Sequence, residues 1–299
     1  MASVENALLL TFKGGDGMRL GIIGAGKAGV SLGRYLPRAS EITLTGFLSR
    51  TEKSAVEGAD FTNSRVYTSI NEMVSDNDII LIATPDGEIA GVWERIRGCL
   101  DGTKEMIIGH LSGALSSELF SDKDYPYIHG ISIHPVYAFS DRFSSYEKLN
   151  TAFFTLEGDP YAVTFWKKTL TELGNKTATV EASKKVKYHA ACSMASNHLL
   201  GLISKCVGLL CDCGFDETSA YTMLEPLVKN NVNGAFLTGV TNALTGPIER
   251  NDLDTVKKHL QVLGDDETLY KELGKAVLSI AETKHEDIDY QKVRNLLWQ

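Results

Sequence analysis

Cysteine is scarce in this sequence and odd in number. The five thiols, Cys99, Cys192, Cys206, Cys211 and Cys213, are too few and too unevenly spread for a disulfide framework. Cys211 and Cys213 have no second pair and no histidine at zinc spacing. They read as two thiols near the end of an apolar helix, and no metal site is expected. Positive charge is also in deficit: 30 Lys and Arg against 38 Asp and Glu leave a net charge of -8. Nucleic-acid phosphates and anionic membrane surfaces repel such a chain, which excludes both as general partners and leaves room for a local basic pocket. The N-terminal MASVENALLLTFKGG has only a short ALLL run, carries Glu5 and shows no cleavage-site pattern, so no secretory signal is expected. A bilayer-length apolar run is missing as well. The most apolar stretch, Leu199 to Cys213, is interrupted by Lys205 and reads as a buried helix. These absences lead us to expect a cytoplasmic protein with reduced thiols. Repeats, low-complexity segments and long linkers are also lacking.

What is present is patterned. A length of 299 residues, with 43% hydrophobic and 23% charged, suits two globular domains. Residues 1–17 are weakly patterned and end in Gly14, Gly15 and Gly17, which predicts a flexible tail. From Met18 onward, short apolar runs such as MRLGII, DIILIA and MIIG alternate with helical patterns such as GEIAGVWERIRGCL. This alternation predicts a mostly parallel, doubly wound sheet with both faces covered. After about Glu181 the strands stop and helical patterns continue to the end. The expected organisation is an α/β domain over 18–182 followed by an all-α domain over 183–299.

Gly24-Ala25-Gly26-Lys27-Ala28-Gly29 fits G-x-G-x-x-G, and it follows a strand and opens a helix at the start of a βαβ unit. In that context Gly24 makes a tight turn, Gly26 admits a pyrophosphate to the backbone, and Gly29 lets helix and strand pack closely. The free N–H groups of the helix start attract phosphate. The motif predicts a Rossmann dinucleotide-binding domain. About twenty residues past Gly29, where an NAD site carries Asp or Glu, stand Ser49 and Arg50. Arg50 suits a ribose 2′-phosphate, with Ser49 and Lys53 assisting, so NADP is expected over NAD. The alternative for Arg50 is a solvated loop charge. Thr84-Pro85-Asp86 closes the next strand at the ligand-binding edge, with Asp86 either a cofactor-loop residue or a helix N-cap.

Two further strand ends carry chemistry: His110-Leu111-Ser112-Gly113 and His134-Pro135. His134 suits general acid–base work, since free imidazole titrates near neutrality, and Ser112 suits orienting a carbonyl or imine. On the first helix of the second half, Lys185, His189, Ser193 and Ser196 share one face with Asn197 at its edge. The stripe reads as the floor of an interdomain cleft for His189, Ser193 and Asn197; for Lys185 a cleft and a solvent face stay equally open. Thr245-Gly246-Pro247 is a helix-breaking turn. Near it, Arg250 suits a carboxylate or phosphate, while Asp252 equally suits no more than a helix cap.

In this order, the glycine loop, the Thr-Pro-Asp turn, HLSGAL, SIHPV, KYHAACSMASNHL and ALTGPIERND resemble Rossmann-like proteins with a DUF2520 C-terminal domain. The resemblance covers residues 18–299. It extends to the wider group with a 6-phosphogluconate-dehydrogenase-like helical domain, which includes pyrroline-5-carboxylate reductases, prephenate dehydrogenases, β-hydroxyacid dehydrogenases and F420-dependent NADP reductases. It implies a nicotinamide cofactor, a cleft between domains and a homodimer built through the helical half. β-Hydroxyacid dehydrogenases carry Lys-x-x-x-Asn on that helix; aligned on Asn197, this chain has Ser193 in place of the lysine. Prephenate dehydrogenases are closer at His134-Pro135 and His189, although their aspartate after the helical histidine is Ala190 here.

The combined expectation is an NADP-dependent oxidoreductase moving hydride to or from a small carbonyl, imine or hydroxy substrate. His134 would transfer the proton, Ser112, His189 and Asn197 would position the substrate, and Ser193, Ser196, Thr245, Gly246 and Pro247 would line its site. Two alternatives stay open. One is a non-catalytic NADP-binding sensor or regulatory protein, suggested by Ser193. The other is an F420-dependent NADP reductase, which needs room for a deazaflavin.

Overall fold

The computed structural model describes residues 17–299. Of the tail expected over 1–17, all but Gly17 lies outside the described residues. The chain divides into two units, one ending at Leu199 and the other spanning Leu200–Gln299.

The first unit is built on a single sheet. Its strands are β1 (Met18–Ile23), β2 (Ile42–Leu48), β3 (Arg65–Val66), β4 (Ile79–Ile82), β5 (Met106–His110), β6 (Ile128–Val136), β7 (Phe153–Gly158) and β8 (Lys176–Thr179). They lie in the order β3-β2-β1-β4-β5-β6-β7-β8, and every neighbouring pair is parallel except β6 and β7. Helices α1 (Lys27–Tyr35), α2 (Glu52–Thr62), α3 (Ile70–Asp76) and α4 (Asp86–Arg97) join successive strands from β1 to β5, and α5 (Pro160–Glu172) joins β7 to β8. Strand order reverses between β1 and β4, the switch point where a crevice opens beyond the strand ends.

Alternation within the apolar strands fills both faces. Ile79 and Leu81 of β4 enter one core with Leu20, Ile22, Phe47, Ile107 and Trp166. Ile80 and Ile82 enter the other with Met73, Trp93, Ile96, Ile108 and Phe120. A strand buried on both sides has no polar face to show, which is why β4 reads as a continuous apolar run.

The helix expected after the sheet is present in three pieces: α6 (Lys185–Ser193), a π turn at Met194–His198, and α7 (Leu199–Asp212). The second unit continues with α8 (Glu217–Thr238), α9 (Val240–Ala243), α10 (Leu253–Val262), α11 (Glu267–Lys284) and α12 (Gln291–Trp298). Its compact core joins Ile248, Val256, Leu278, Ala281, Tyr290, Val293 and Leu297. Asp252 caps α10 by accepting from Thr255 N, the capping role its sequence position suggested.

One expectation needs correction. The Leu199–Cys213 stretch is no buried helix within this chain: Val207 is its one buried residue within α7, and Leu200 is 66% exposed. The small core of the second unit gathers around α10, α11 and α12 and leaves this apolar surface uncovered. Among the described residues, the continuous helix Ala182–Asp212 is long and apolar enough to cross a membrane by length and composition.

Candidate functional site

The glycine loop folds as its residue types dictate. Gly24 has φ +109°, and a Cβ there would lie 2.6 Å from the Ala83 carbonyl oxygen. A Cβ on Gly29 would lie 2.1 Å from the carbonyl oxygen of Gly24. A Cβ on Gly26 would meet nothing within 4 Å, so the loop's outer face is open. Gly26 is the N-cap of α1 and has no side chain to occupy the first N–H groups, which leaves them free to take an anion.

A cavity of about 1140 Å³ opens over this loop. Gly24, Ala25, Gly26, Ser49, Arg50, Thr84 and Pro85 all line it, together with Thr51 and Ser54 at the start of α2. Lys27, Ala28, Gly29 and Asp86 are not among its lining residues. Arg50 is exposed and makes no ion pair among the described residues, whereas Lys53 pairs weakly with Glu57 at 3.9 Å. Thr84 Oγ1 is buried without a hydrogen-bond partner. An orphaned hydroxyl at the end of β4 and an open glycine cradle at the end of β1 are what a dinucleotide would satisfy.

The ends of β4, β5 and β6 continue this edge. Asp86 is the first residue of α4, and its carboxylate accepts a 2.6 Å hydrogen bond from Ser112 Oγ. Ser112 Oγ also receives the N–H groups of Ala114 and Leu115. Its carbonyl oxygen accepts from Ser132 Oγ at 2.9 Å and from Lys185 Nζ at 3.3 Å. Ser112 is therefore occupied on every side and braces the turn that carries Gly113. A Cβ on Gly113 would lie 2.5 Å from His189 Nδ1 and 2.9 Å from His134 Nε2, so the turn passes directly against both histidines. The two rings meet edge-to-face with centroids 5.5 Å apart. His189 Nδ1 is buried and has no partner.

Burial sets the charge of these groups. It is the main cause pushing His134 down to about 4, assisted by His189 and Lys185. The near-neutral value expected from the sequence thus gives way to a ring that is uncharged at physiological pH. His110, wholly buried on β5, is likewise pushed down to about 4, chiefly by burial. Lys185 is 1% exposed, and burial lowers its pKa against the pull of Glu157 and Asp86. Its Nζ lies 2.6 Å from Ser132 Oγ and 4.0 Å from Glu157 Oε2. Glu157 accepts from Ser117 N and Ser117 Oγ.

The structure therefore brings Asp86, Ser112, His134 and His189 together. Ser193, Ser196 and Asn197 stand further along the helix, where the π turn interrupts the α-helical repeat, and Ser196 Oγ bonds back to the Cys192 carbonyl. Thr245, Gly246 and Pro247 belong to the second unit. There Gly246 has φ +118°, and the turn is tied to α11 through Lys284, which bonds Leu244 O and pairs with Glu249. Sequence reasoning missed Tyr188, Thr155 and Glu157. Tyr188 shares the buried side of α6 with Lys185, three residues on; Thr155 and Glu157 become visible only once β7 is known to pair antiparallel with β6.

Two family models match the chain: a Rossmann-like domain over residues 15–135 and the domain of unknown function DUF2520 over residues 152–277. No curated protein matches it. Among solved structures, the chain is similar to TM1727 from Thermotoga maritima, with 24% identity over 89% of this chain and 99% of that one and a TM-score of 0.69. It is similar to BF3122 from Bacteroides fragilis, provisionally named an NADP oxidoreductase, with 20% identity over 89% and 100% and a TM-score of 0.72. A reductive aminase from Aspergillus terreus, solved with NADPH4, cyclohexanone and allyl amine, gives 14% identity over 94% and 99% and a TM-score of 0.62. At these identities the likeness is one of fold. The chain thus joins a Rossmann-like domain to a DUF2520 domain, as the glycine loop and the ALTGPIERND segment suggested.

Proposed function

We propose that this protein is an NADP(H)-dependent oxidoreductase acting on a small carbonyl, imine or hydroxy substrate. The observation that carries the reading is the continuity of one sheet edge: an open glycine cradle at β1, an orphaned Thr84 hydroxyl at β4, and a half-buried pair of histidines, one on β6 and one on α6, against Gly113 after β5. Gly24, Gly26 and the start of α1 would hold the pyrophosphate. Arg50 and Ser49, with Thr51 and Ser54 beside them, would hold a ribose 2′-phosphate. When bound, the nicotinamide supplies or accepts hydride. His134 would address the reacting oxygen or nitrogen, its neutral ring by hydrogen bonding rather than as imidazolium. Ser112 and Asp86 hold the turn that sets the approach to His134 and His189. The names of BF3122 and of the Aspergillus terreus enzyme support the same reading.

The test is calorimetric titration with NADPH and NADH. Charge-assisted hydrogen bonds contribute about 1.5–3 kcal/mol, so Arg50→Ala should weaken NADPH roughly 10- to 100-fold and leave NADH nearly unchanged. A screen of ketones, imines and hydroxy acids for NADPH turnover follows. Absence of binding by either dinucleotide would refute the reading, and binding without turnover of any substrate would favour a sensor.

The functional unit we propose is a homodimer. Phe236 and Leu237 near the end of α8 are 88% and 83% exposed, and Leu227 and Leu200 add to the uncovered apolar surface of the second unit. A second copy of this chain would cover it.

A further inference from the structure

Behind His134 runs a hydrogen-bond chain that the glycine loop does not require. In the antiparallel pairing of β6 and β7, His134 stands directly opposite Thr155, so their side chains leave the same face of the sheet. Tyr188 of α6 reaches both. Its hydroxyl lies 2.7 Å from His134 Nδ1, and it accepts a 2.7 Å hydrogen bond from Thr155 Oγ1. A phenol has a single proton to give. With Thr155 donating to the phenol oxygen, that proton is left for His134 Nδ1 or for the Cys192 thiol that also neighbours Tyr188, and the imidazole nitrogen at 2.7 Å is the much stronger acceptor. Nδ1 is then an acceptor, and a neutral ring must carry its own proton on Nε2. Burial raises the pKa of Tyr188 above the ordinary tyrosine value, so the donor is not lost by ionisation. Nε2 faces the turn at Gly113. The remaining groups around the ring are His189 and Lys185 from α6 and Asp86 from α4.

We propose that Tyr188, backed by Thr155, is a positioning residue that locks His134 as the Nε2–H tautomer, so that the ligand group received there is a lone-pair acceptor such as a carbonyl or carboxylate oxygen. His134 donates a hydrogen bond in this role and no proton leaves it. A protonated amine or iminium would meet a like donor and be disfavoured. Assigning the acceptor to a hydride-transfer substrate rests on the function proposed above; the tautomer does not.

The experiment is long-range ¹H–¹⁵N correlation spectroscopy of the full chain labelled at histidine nitrogens, near neutral pH, with His134 assigned by its loss in His134→Gln. The expected wild-type spectrum has His134 Nδ1 in the unprotonated range and Nε2 in the protonated range. Tyr188→Phe should move both resonances toward tautomer-averaged values, and Thr155→Val should shift them in the same direction by less. A wild-type proton on Nδ1, or a folded Tyr188→Phe protein with an unchanged spectrum, overturns the proposal. Were Tyr188→Phe to fail to fold, the wild-type tautomer and Thr155→Val decide. Pyruvate, a small probe with both oxygen types, is then titrated in the presence of NADPH. It should shift the Nε2–H resonance of wild type more than methylamine does; equal or smaller shifts overturn the acceptor assignment. Failure of NADPH to bind would count against the oxidoreductase reading and leave the tautomer result standing.

Discussion

The α carbon of Gly29 faces the carbonyl oxygen of Gly24 so closely that a Cβ would lie 2.1 Å from it. A methyl group there forces α1 away from the end of β1, so Gly29→Ala should destabilise the first unit by roughly 1–3 kcal/mol, as overpacked cores do. Gly26→Ala should behave differently. Its Cβ meets nothing within 4 Å in the free protein, so folding should be unaffected, while the methyl group occupies the face proposed for the pyrophosphate. Thermal melting together with NADPH titration separates the two: one variant loses stability, the other loses affinity alone.

The turn at Gly113 offers a parallel contrast at the other end of the site. Its Cβ would fall 2.5 Å from His189 Nδ1 and 2.9 Å from His134 Nε2, which displaces both rings. Gly113→Ala should therefore leave NADPH affinity near wild type and lower turnover of any substrate found, by about 100-fold or more, since small misplacements of reacting groups are costly. Comparable losses in cofactor affinity and turnover would place Gly113 in the dinucleotide site instead.

Lys185 and Glu157 form a buried pair at 4.0 Å with side-chain exposures of 1% and 7%. Lys185→Met keeps the volume and removes the charge, which leaves Glu157 without its cation and the Ser112 carbonyl with one donor fewer. Breaking a buried pair in this way costs about 3–5 kcal/mol. The double variant Lys185→Met, Glu157→Gln should recover part of that loss. Denaturant midpoints of the single and double variants test the coupling, and simple additivity would show that the two charges act independently.

The edge that carries the candidate site was legible in the sequence because glycines follow β1, Thr84-Pro85 follows β4 and Ser112-Gly113 follows β5, while His134-Pro135, read as a strand end, lies within β6. What escaped was what lies behind them. Lys185 was ambiguous because a lysine on a helix usually points to water, and its burial depends on Ser132 and Glu157, which come from two different strands. Tyr188 looked like one more residue of a helix, and Thr155 like one more β-former. Their relation to His134 exists only through the antiparallel register of β6 and β7, which local periodicity does not encode. The long apolar helix misled for a related reason: periodicity shows that a surface is apolar, not whether its own chain covers it.

That uncovered surface gives a direct test of assembly. If a second copy covers the second unit, Phe236→Glu with Leu237→Glu should convert a dimer to a monomer in sedimentation velocity without lowering the melting temperature of the first unit. A wild-type protein that sediments as a monomer at micromolar concentration would reject the dimer.

His110 makes the fold itself sensitive to acid. Its Nδ1 accepts the Ser112 N–H at 3.2 Å, which leaves Nε2 to carry the proton toward the Ser116 carbonyl at 3.4 Å. The ring is neutral and wholly buried, held near 4 mainly by burial, with Lys185 lowering it and Ser116, Glu157 and Asp86 pulling the other way. An unfolded histidine titrates near 6.5. Between those values the unfolded chain binds a proton that the folded one refuses, so the stability associated with the neutral ring is complete above pH 6.5 and lost as pH falls toward 4. The full span, 6.5 minus 4, corresponds to about 3 kcal/mol. His134 acts with the same sign, whereas His129, raised chiefly by its hydrogen bond to Asp159, acts with the opposite one. Comparison with a single variant removes both. His110→Gln should be less stable than wild type at pH 7, and its urea midpoint should fall less between pH 7 and pH 4.5. Parallel midpoints for the two proteins across that range would mean that His110 charges in the folded state and finds a partner there.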